Sequence, residues 1–314
     1  MPSLLITGGS GTFGTACIAS LLRSTAWDRL VVYSRDEFKH QEMAERFQDA
    51  QVRYFIGDVR DRERLTRAFA GVDTVIHAAA LKQIRTGEYN PREVILTNVV
   101  GAMNVVEAAL DAGVRRVIAL STDKAVQPVN LYGATKLCAE KLFVRANAYG
   151  SGHATRFACV RYGNVIGSRG SLFDRWKNGT GKVLITDPRM TRFAMTVDHA
   201  VAFVLACLDR MQGGEIFVPK LTAFRLLDAV RQITATGDVE IVGAQPGEKI
   251  HELLIGPEEQ GVVDCGEYYV IEPAHPSWTY RPLTGPGFCG TGDFLRSDRV
   301  VSDAWGVPRH DYAV

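Results

Sequence analysis

The sequence predicts an α/β protein built on a doubly wound parallel sheet, followed by a smaller α/β lobe. Two observations predict this class. Apolar strand-like runs alternate with segments of helical spacing from residue 3 to about residue 166, and a glycine-rich turn joins the first run to the first helix. Such alternation requires right-handed crossovers, which place helices on both faces of a parallel sheet.

The predicted strands of the first half are short and apolar at their centres, which indicates burial on both faces. They are Ser3–Thr7, Leu30–Tyr33, Val52–Ile56, Val72–Ala78, Val117–Ser121 and Thr155–Tyr162. The helices predicted between them are Thr12–Arg23, Lys39–Phe47, Arg62–Ala70, Pro91–Ala112 and Leu131–Tyr149. The long helix has Asn90 as its N-cap, Pro91 in its first turn and Gly113 past its end.

After about residue 166 the alternation loosens. Helices are predicted at Asp198–Asp209 and Thr222–Thr234, and strands at Val183–Ile185, Glu215–Val218 and Val239–Val242. We therefore predict a dinucleotide-binding domain over residues 1–166 and a substrate-binding lobe over residues 167–314, whose segments are interleaved with the first domain.

Composition narrows the class of function. Hydrophobic residues make up 46% of the 314 residues, and 36 basic against 35 acidic residues leave a net charge of +1. This balance does not favour nucleic acid or a membrane surface as a partner. The six cysteines form no CxxC pair, which indicates a reducing compartment. No apolar run reaches the ~18 residues of a membrane span, and the chain enters a strand at once, so we expect a cytoplasmic protein.

The glycine-rich turn is the first motif that carries chemistry. Glycines at 8, 11 and 14, with Thr12 and Phe13 between them, follow the first strand and open the first helix. They permit a tight turn, close approach of a pyrophosphate and close helix–strand packing. The free N–H groups of the helix N-terminus favour the same anion. The turn predicts a Rossmann-type dinucleotide site.

The end of the second strand bears on which dinucleotide is bound. Ser34, Arg35 and Lys39 form a hydroxyl-and-cation group suited to a 2′-phosphate, and they favour NADP. NAD binders place an acid here for the ribose hydroxyl. Asp36 stands one residue late and leaves NAD possible. A solvated loop of mixed charge is the alternative.

Two further strand ends belong to the predicted cofactor site. Asp58 and Val59 follow the third strand, where the carboxylate can accept a hydrogen bond from the adenine amino group or cap the next helix. Ala78, Ala79 and Ala80 follow the fourth strand, and their small side chains leave room for the cofactor. His77 before them is predicted to be packed in the strand. We predict no metal site.

A Tyr–Lys pair follows the fifth strand. Tyr132 and Lys136 are one helical turn apart, so the ammonium is expected to lower the phenol pKa and make it a general base toward an alcohol. Thr122 can orient the same alcohol. Asp123 and Lys124 add an acid/base pair that plain alcohol oxidation does not need. A surface helix that happens to carry Tyr and Lys is the alternative.

Together these stretches resemble the extended short-chain dehydrogenase/reductases. Within them the chain resembles the short, soluble UDP-N-acetylglucosamine 4,6-dehydratases that invert C5 and open pseudaminic acid biosynthesis. Related retaining enzymes carry methionine at the position of Tyr132. The matching stretches, from residue 4 to about 255, are TGGSGTFG, VVYSRDE, RYFIGDVRD, VIHAAALK, STDKAVQPVNLYGATK, RYGNVIGSRGS, ITDPRMTRF, GGEIFVPK and GEKIHE.

The resemblance implies an NADP-dependent lyase. Tyr132, assisted by Lys136, would take the C4 hydroxyl proton as hydride leaves C4. Lys124 would then take the C5 proton, and for this it must be neutral, with its pKa lowered by burial and by neighbouring positive charge. Asp123 would protonate the departing C6 hydroxyl, and hydride would return to C6.

The resemblance also implies substrate contacts and an assembly. The substrate would be a nucleotide sugar, UDP-N-acetylglucosamine or a relative, and the chain would form a homo-oligomer, either a dimer or a hexamer built from dimers. The residues expected at the sugar and diphosphate are Lys82, Asn164, Arg192 and Glu248, with Lys249 as a further candidate.

Departures from the family leave other functions open. Relatives read Met-Lys-His-Val-Pro where this chain has Leu81–Arg85, and Trp where it has Ala194. A different sugar or nucleotide base can therefore fit, and residues after about 256 match poorly. A C4 epimerase or reductase would need only Thr122, Tyr132 and Lys136. A non-enzymatic NADP-binding protein is the third possibility.

Overall fold

The computed structural model describes residues 2–24, 26–149, 154–169, 176, 182–233, 239–284 and 295–300. Within them the strands are β1 Ser3–Thr7, β2 Arg29–Ser34, β3 Val52–Ile56, β4 Thr74–His77, β5 Arg116–Thr122, β6 Arg156–Tyr162, β7 Asn164–Ile166, β8 Val183–Ile185, β9 Thr191–Thr196, β10 Ile216–Pro219, β11 Ala223–Arg225, β12 Val239–Ile241, β13 Leu253–Ile255, β14 Val262–Asp264, β15 Tyr268–Ile271 and β16 Leu295–Arg296. The α-helices are α1 Thr12–Leu21, α2 Glu37–Arg46, α3 Arg62–Phe69, α4 Ile84–Tyr89, α5 Pro91–Ile95, α6 Gly101–Asp111, α7 Leu131–Ala146, α8 Val197–Arg210 and α9 Leu226–Ile233.

One nine-stranded sheet positions the site, with the order β14-β15-β10-β6-β5-β4-β1-β2-β3. The strands from β3 to β10 in this order pair in parallel, and β15 and β14 add antiparallel partners at one edge. The order 3-2-1-4-5-6 is that of a dinucleotide-binding sheet. The predicted fold class is therefore confirmed. Strands β10, β14 and β15 come from the second half of the chain but belong to this sheet. The predicted division into a cofactor domain and a substrate lobe at residue 166 therefore stays a prediction.

The long predicted helix has a different form. A π-helical turn, Leu96–Val100, separates α5 from α6. Asn90 is the N-cap residue of α5, as predicted, but its side chain makes no capping hydrogen bond, and its amide donates 2.9 Å backwards to the Thr86 carbonyl. That carbonyl belongs to the unpredicted helix α4, which ends at Tyr89. The π turn aims Asn98 at the loop after β4, where it pairs with both backbone groups of Leu81, at 2.8 and 2.9 Å.

The helical segment Pro91–Asp111 is also long and apolar enough, by length and composition, to cross a membrane. It is the one such segment among the residues described, and half of its most apolar window is buried inside the protein. It packs on α3 and α7, and a core helix meets the same criterion.

The lobe is built of small sheets that sequence periodicity mostly missed. They have the orders β11-β9-β7, β12-β8 and β13-β16. The helix predicted from Thr222 begins only at Leu226, because Ala223–Arg225 pairs with β9 as strand β11. Strands of three residues carry too little pattern to be distinguished from loops.

A buried ion cluster joins the lobe to the main sheet. Arg161 on β6, with 1% of its side chain exposed, donates to Glu140 on α7 at 2.8 and 3.0 Å and to Glu259 at 2.8 Å. It also donates to the carbonyl of Leu254 on β13, at 3.0 Å. The segment around β13 is thereby held beside the carboxyl end of β6.

Candidate active site

A cleft of about 1120 Å³ lies at the carboxyl ends of the parallel strands, between the sheet and the lobe. This is where doubly wound folds bind their ligands. The predicted residues on its wall are Gly8, Gly11, Thr12, Phe13, Ser34, Arg35, Lys39, Asp58, Val59, Ala78, Ala79, Ala80, Lys82, Thr122, Lys124, Tyr132, Lys136, Asn164, Arg192 and Glu248. Gly14 and Asp123 lie behind this wall.

The glycine turn has the geometry that a dinucleotide cradle needs. Gly8 has a φ of 67°, and a Cβ there would stand 2.9 Å from the backbone of Ala79. Gly14 serves packing instead, since its Cβ would meet the Gly9 carbonyl oxygen at 2.3 Å. The residues present therefore fit a nicotinamide dinucleotide, whose pyrophosphate the N–H groups that open α1 would hold.

The end of β2 carries paired charges. Arg35 Nη1 lies 3.4 Å from Asp58 Oδ2, and Lys39 Nζ lies 2.5 Å from Asp36 Oδ2. Asp36 also caps α2 by accepting from the Lys39 N–H at 3.1 Å. Its carboxylate is therefore already engaged. Ser34 Oγ lies 2.7 Å from Ser10 Oγ of the glycine turn.

At the ends of β3 and β4 the structure decides between the roles predicted for Asp58 and His77. Asp58 does not cap the next helix, because Asp61 does so by accepting from the Arg64 N–H at 2.9 Å. Asp58 pairs instead with Arg60, at 2.7 Å. His77 is packed in the strand as predicted, with Nδ1 2.8 Å from Thr7 Oγ1.

The Tyr–Lys helix approaches the end of β5 through a glycine. A Cβ at Gly133 would stand 2.1 Å from the Lys124 carbonyl oxygen, so only glycine lets α7 pack directly on the Thr122–Lys124 turn. Asn130 caps α7 by accepting from the Gly133 N–H at 2.8 Å. This contact brings Tyr132 beside Thr122 and Lys124.

The pKa of the Tyr132 phenol differs from the one that the sequence predicted. Burial raises the pKa of the Tyr132 phenol to about 12, and the opposing influences are the charge of Lys124 and a hydrogen bond with Thr122. The prediction that Lys136 lowers this pKa is wrong. Burial lowers the pKa of Lys136 itself, against the influence of Cys159 and Glu140.

The Asp123–Lys124 pair is tightly bonded. Asp123 Oδ1 accepts from the Thr122 hydroxyl at 2.9 Å and from Lys124 Nζ at 3.0 Å. Burial raises the pKa of Asp123, which favours a protonated carboxyl. For Lys124 burial favours the neutral amine, but Asp123 and Glu252 raise its pKa above the ordinary value. The predicted lowering of the Lys124 pKa is therefore wrong.

Glu252 is the residue that sequence reasoning missed. It lines the cleft just before β13, is 3% exposed, and places Oε1 3.3 Å from Lys124 Nζ. The signal available was an acid directly before the apolar run Leu253–Ile255, inside the stretch GEKIHE. An isolated buried carboxylate is costly unless it is paired, so an acid there indicates cations nearby.

The residues predicted to contact the substrate differ in whether their polar atoms already have hydrogen-bond partners in the protein. Asn164 Oδ1 and Glu248 Oε2 are buried on the cleft side with no hydrogen-bond partner among the described residues. Lys82 Nζ donates to Ser168 Oγ at 3.4 Å. Arg192, 7% exposed, donates to the carbonyls of Thr191 and Ile250 at 2.8 and 3.1 Å, so its role at a diphosphate stays a prediction.

Lys249, the further candidate for a substrate contact, forms an ion pair with Glu252. Its Nζ lies 3.7 Å from Glu252 Oε2 and donates to the Val126 carbonyl. Within the described ranges, no group of three or more His, Cys, Asp or Glu side chains is arranged to hold a metal ion.

Comparison with known proteins places this geometry in context. The family model described as "Polysaccharide biosynthesis protein" matches residues 4–273. The UDP-N-acetylglucosamine 4,6-dehydratase (inverting) of Campylobacter jejuni subsp. jejuni is 47% identical over 277 residues, 87% of this chain and 83% of that protein. The UDP-glucose 4-epimerase of Rickettsia conorii is 40% identical over 280 residues, 86% of this chain and 82% of that protein.

Solved structures agree in fold. Pen from Bacillus thuringiensis superposes with a TM-score of 0.88 at 34% identity, over 96% of this chain and 95% of its own. The dTDP-glucose 4,6-dehydratase DesIV from Streptomyces venezuelae, solved with NAD bound, has a TM-score of 0.72 at 21% identity, over 79% of this chain and 86% of its own. At that identity the second likeness shows the fold alone.

The contact of α7 with the Lys124 turn yields a test. Gly133→Ala should lower the free energy of unfolding by about 1 to 3 kcal/mol, because the added Cβ forces α7 off the turn. Urea unfolding measures the change. Gly87→Ala in α4 is the matched control, since its Cβ would meet only the Val94 side chain, at 3.2 Å. Wild-type stability of Gly133→Ala would contradict this packing.

Proposed function

Because the chain belongs to the polysaccharide biosynthesis protein family, we propose that it is a cytoplasmic nucleotide-sugar 4,6-dehydratase. Its substrate is UDP-N-acetylglucosamine or a close relative, and the reaction inverts C5 to form a 4-keto-6-deoxy sugar nucleotide. The observation that carries the proposal is the bonded Asp123–Lys124 pair beside Tyr132 at one cleft. Oxidation of the C4 alcohol alone would need no proton transfer by Asp123 or Lys124.

The residues divide the proton transfers among them. Tyr132 takes the C4 hydroxyl proton, with Thr122 bonded beside it and the Lys124 charge favouring the phenolate. Lys124 takes the C5 proton that the C4 ketone acidifies. Asp123, whose pKa burial raises, donates a proton to the departing C6 hydroxyl, which leaves as water.

The cleft also supports a nicotinamide dinucleotide as the resident cofactor. When bound, it supplies the acceptor for the hydride lost at C4 and the donor of the hydride gained at C6. Gly8, Gly11 and the N–H groups that open α1 would hold its pyrophosphate. Ala78, Ala79 and Ala80 leave room for the rest of it along the ends of β4 and β1.

A C4 epimerase is the second candidate. The Rickettsia conorii relative favours it, and Thr122, Tyr132 and Lys136 would suffice for its chemistry. It assigns no step to Asp123 or Lys124, so we rank it below the dehydratase.

Proton NMR of UDP-N-acetylglucosamine incubated with the protein and the cofactor distinguishes these reactions. We expect a new C6 methyl doublet, and Tyr132→Phe should reduce its rate of formation by ~10²–10⁴. Tyr149→Phe, at a tyrosine that is 56% exposed, is the matched control. A galacto product without a methyl signal would identify the epimerase, and an unchanged substrate would contradict both.

We infer NADP rather than NAD from the end of β2. Asp36 is engaged as a helix cap and in an ion pair with Lys39, which leaves it poorly suited to a ribose hydroxyl. Arg35, with 49% of its side chain exposed, can turn from Asp58 to a 2′-phosphate.

Arg35→Ala should therefore weaken NADP binding by about tenfold to a hundredfold and leave NAD binding nearly unchanged, since a charged hydrogen bond to phosphate is lost. Titration calorimetry measures both dissociation constants. Arg53→Ala on β3 removes an equal charge from a side chain that donates to backbone carbonyls of its own segment. Equal losses for NADP and NAD would overturn the assignment.

We also propose a homo-oligomer. Ile95 and Met103 leave 43% and 48% of their surface exposed on the segment that packs beside α7. A second copy covering these side chains would remove apolar surface from water. Light scattering at micromolar protein concentration should give at least a dimer, and Met103→Lys should shift it towards the monomer. A monomeric wild type would contradict the proposal.

A further inference from the structure

Glu252 lies at the centre of a buried charge cluster. Three cations surround its carboxylate: Lys124 Nζ at 3.3 Å and Arg192 Nε at 3.9 Å from Oε1, and Lys249 Nζ at 3.7 Å from Oε2. Although burial opposes ionisation, these charges hold the pKa of Glu252 below its usual range. The carboxylate is thus ionised at rest, and Oε2 has no hydrogen-bond partner among the described residues.

Lys124 is bonded on two sides. Its Nζ lies 3.0 Å from Asp123 Oδ1 and 3.3 Å from Glu252 Oε1. The charged and titratable groups that face it from every packed element are Asp123 on its own turn, Tyr132 on α7, Arg192 on β9, and Lys249 and Glu252 before β13. An ammonium held this way has no free electron pair, so a base role for Lys124 requires a neighbour that takes its proton.

We propose that Glu252 is a positioning residue that holds Lys124 as an ammonium at rest and accepts its proton when Lys124 acts as the base at C5. This inference rests on the proposed dehydratase function. Of the two carboxyls bonded to Lys124, the proposed function assigns Asp123 the proton that goes to the C6 hydroxyl. Burial raises the pKa of Asp123, and its Oδ1 already accepts from Thr122 and Lys124. Glu252 is the one that is ionised and able to accept.

The proton transfers balance over one cycle. The Lys124 proton passes to Glu252 Oε1, which leaves an electron pair on Nζ and a neutral carboxyl. That pair takes the C5 proton, and Asp123 gives its proton to the leaving hydroxyl. Once C6 has gained hydride, Tyr132 gives C5 the proton that it took from the C4 hydroxyl. The Glu252 proton returns through Lys124 to Asp123, since Nζ bonds both carboxylates, and the starting state of all four side chains is restored.

The transfer is reasonable because the cluster is buried. In water the charged lysine–carboxylate pair is strongly favoured by hydration. Asp123 is 0% and Glu252 3% exposed, so most of that hydration is absent. The charged and neutral forms of the pair are therefore closer in energy than in solution.

The first test reads the protonation of Lys124 directly, without substrate. The protein is labelled with ¹³C-lysine, the Lys124 signal is assigned with Lys124→Arg, and its titration is followed by NMR. Glu252→Gln should shift that titration to lower pH by about one unit or more, because the negative charge 3.3 Å from Lys124 Nζ is lost. Glu252→Asp should restore most of the shift.

Glu259→Gln is the matched control. It makes the same substitution in the same segment, but its carboxylate bonds Arg161 rather than Lys124. It should lower the melting temperature and leave the Lys124 titration unchanged. An identical Lys124 titration in wild type and Glu252→Gln would overturn the inference, whatever the substrate is.

The second test reads the transfer itself. In deuterated water, cofactor-loaded wild type should exchange the C5 proton of UDP-N-acetylglucosamine at a rate nearly independent of pH from about 6 to 9, because the proton moves internally. With Glu252→Gln, Lys124 must lose its proton to solvent, so the rate should rise about tenfold per pH unit.

The remaining outcomes separate the two hypotheses. A Glu252→Gln rate that falls equally at every pH, as expected for Glu259→Gln, would show a merely structural role and overturn the inference. Failure of the wild type to exchange C5 or to form the methyl product would refute the proposed function instead. The Lys124 titration still decides whether Glu252 controls that lysine.

Discussion

The shared hydrogen bonding of the buried Arg161 guanidinium is the constraint on which the site depends. It joins Glu140 on α7, Glu259 in the lobe and the carbonyl of Leu254 on β13. Lys136 lies one turn before Glu140, and Glu252 lies two residues before Leu254. Removing a partner from a buried ion pair costs about 3 to 5 kcal/mol, so helix, sheet and lobe are held in one arrangement, and the side chains proposed to act in the reaction are held with them.

Burial also controls the pKa values of the acidic side chains in the cleft. Two carboxyls, a phenol and three cations lie within one small volume at the end of β5. Burial raises the pKa of Asp123, while the cations keep Glu252 ionised. The pKa values of two acids of similar intrinsic strength are thereby shifted in opposite directions, an arrangement that suits one site to supply both an acid and a base.

The cofactor side of the cleft differs from the end of β5 in the groups that line it. There the proposed contacts come from backbone N–H groups of the glycine turn and the start of α1, and the proposed specificity comes from side chains at the rim. Arg35 and Lys39 are exposed enough to exchange their carboxylate partners for a ligand. The side chains at the end of β5 are buried, whereas those at the rim are partly exposed, so the ion pairs of the rim contribute little to stability.

The amino-acid sequence was enough to predict the parallel sheet, the glycine turn and the position of Thr122, Tyr132 and Lys136 at one edge. These features depend on local periodicity and on the rule that parallel strands end at the same side. The sequence also carried the family resemblance. The tertiary structure alone decided the π turn that aims Asn98, the short strands of the lobe, the ionised state of Lys124 and the presence of Glu252 beside it. A pKa depends on charges and burial summed over segments that are distant along the chain. Lys124 and Glu252 are brought within 3.3 Å only by the return of the lobe to the cleft, and no local pattern encodes that return.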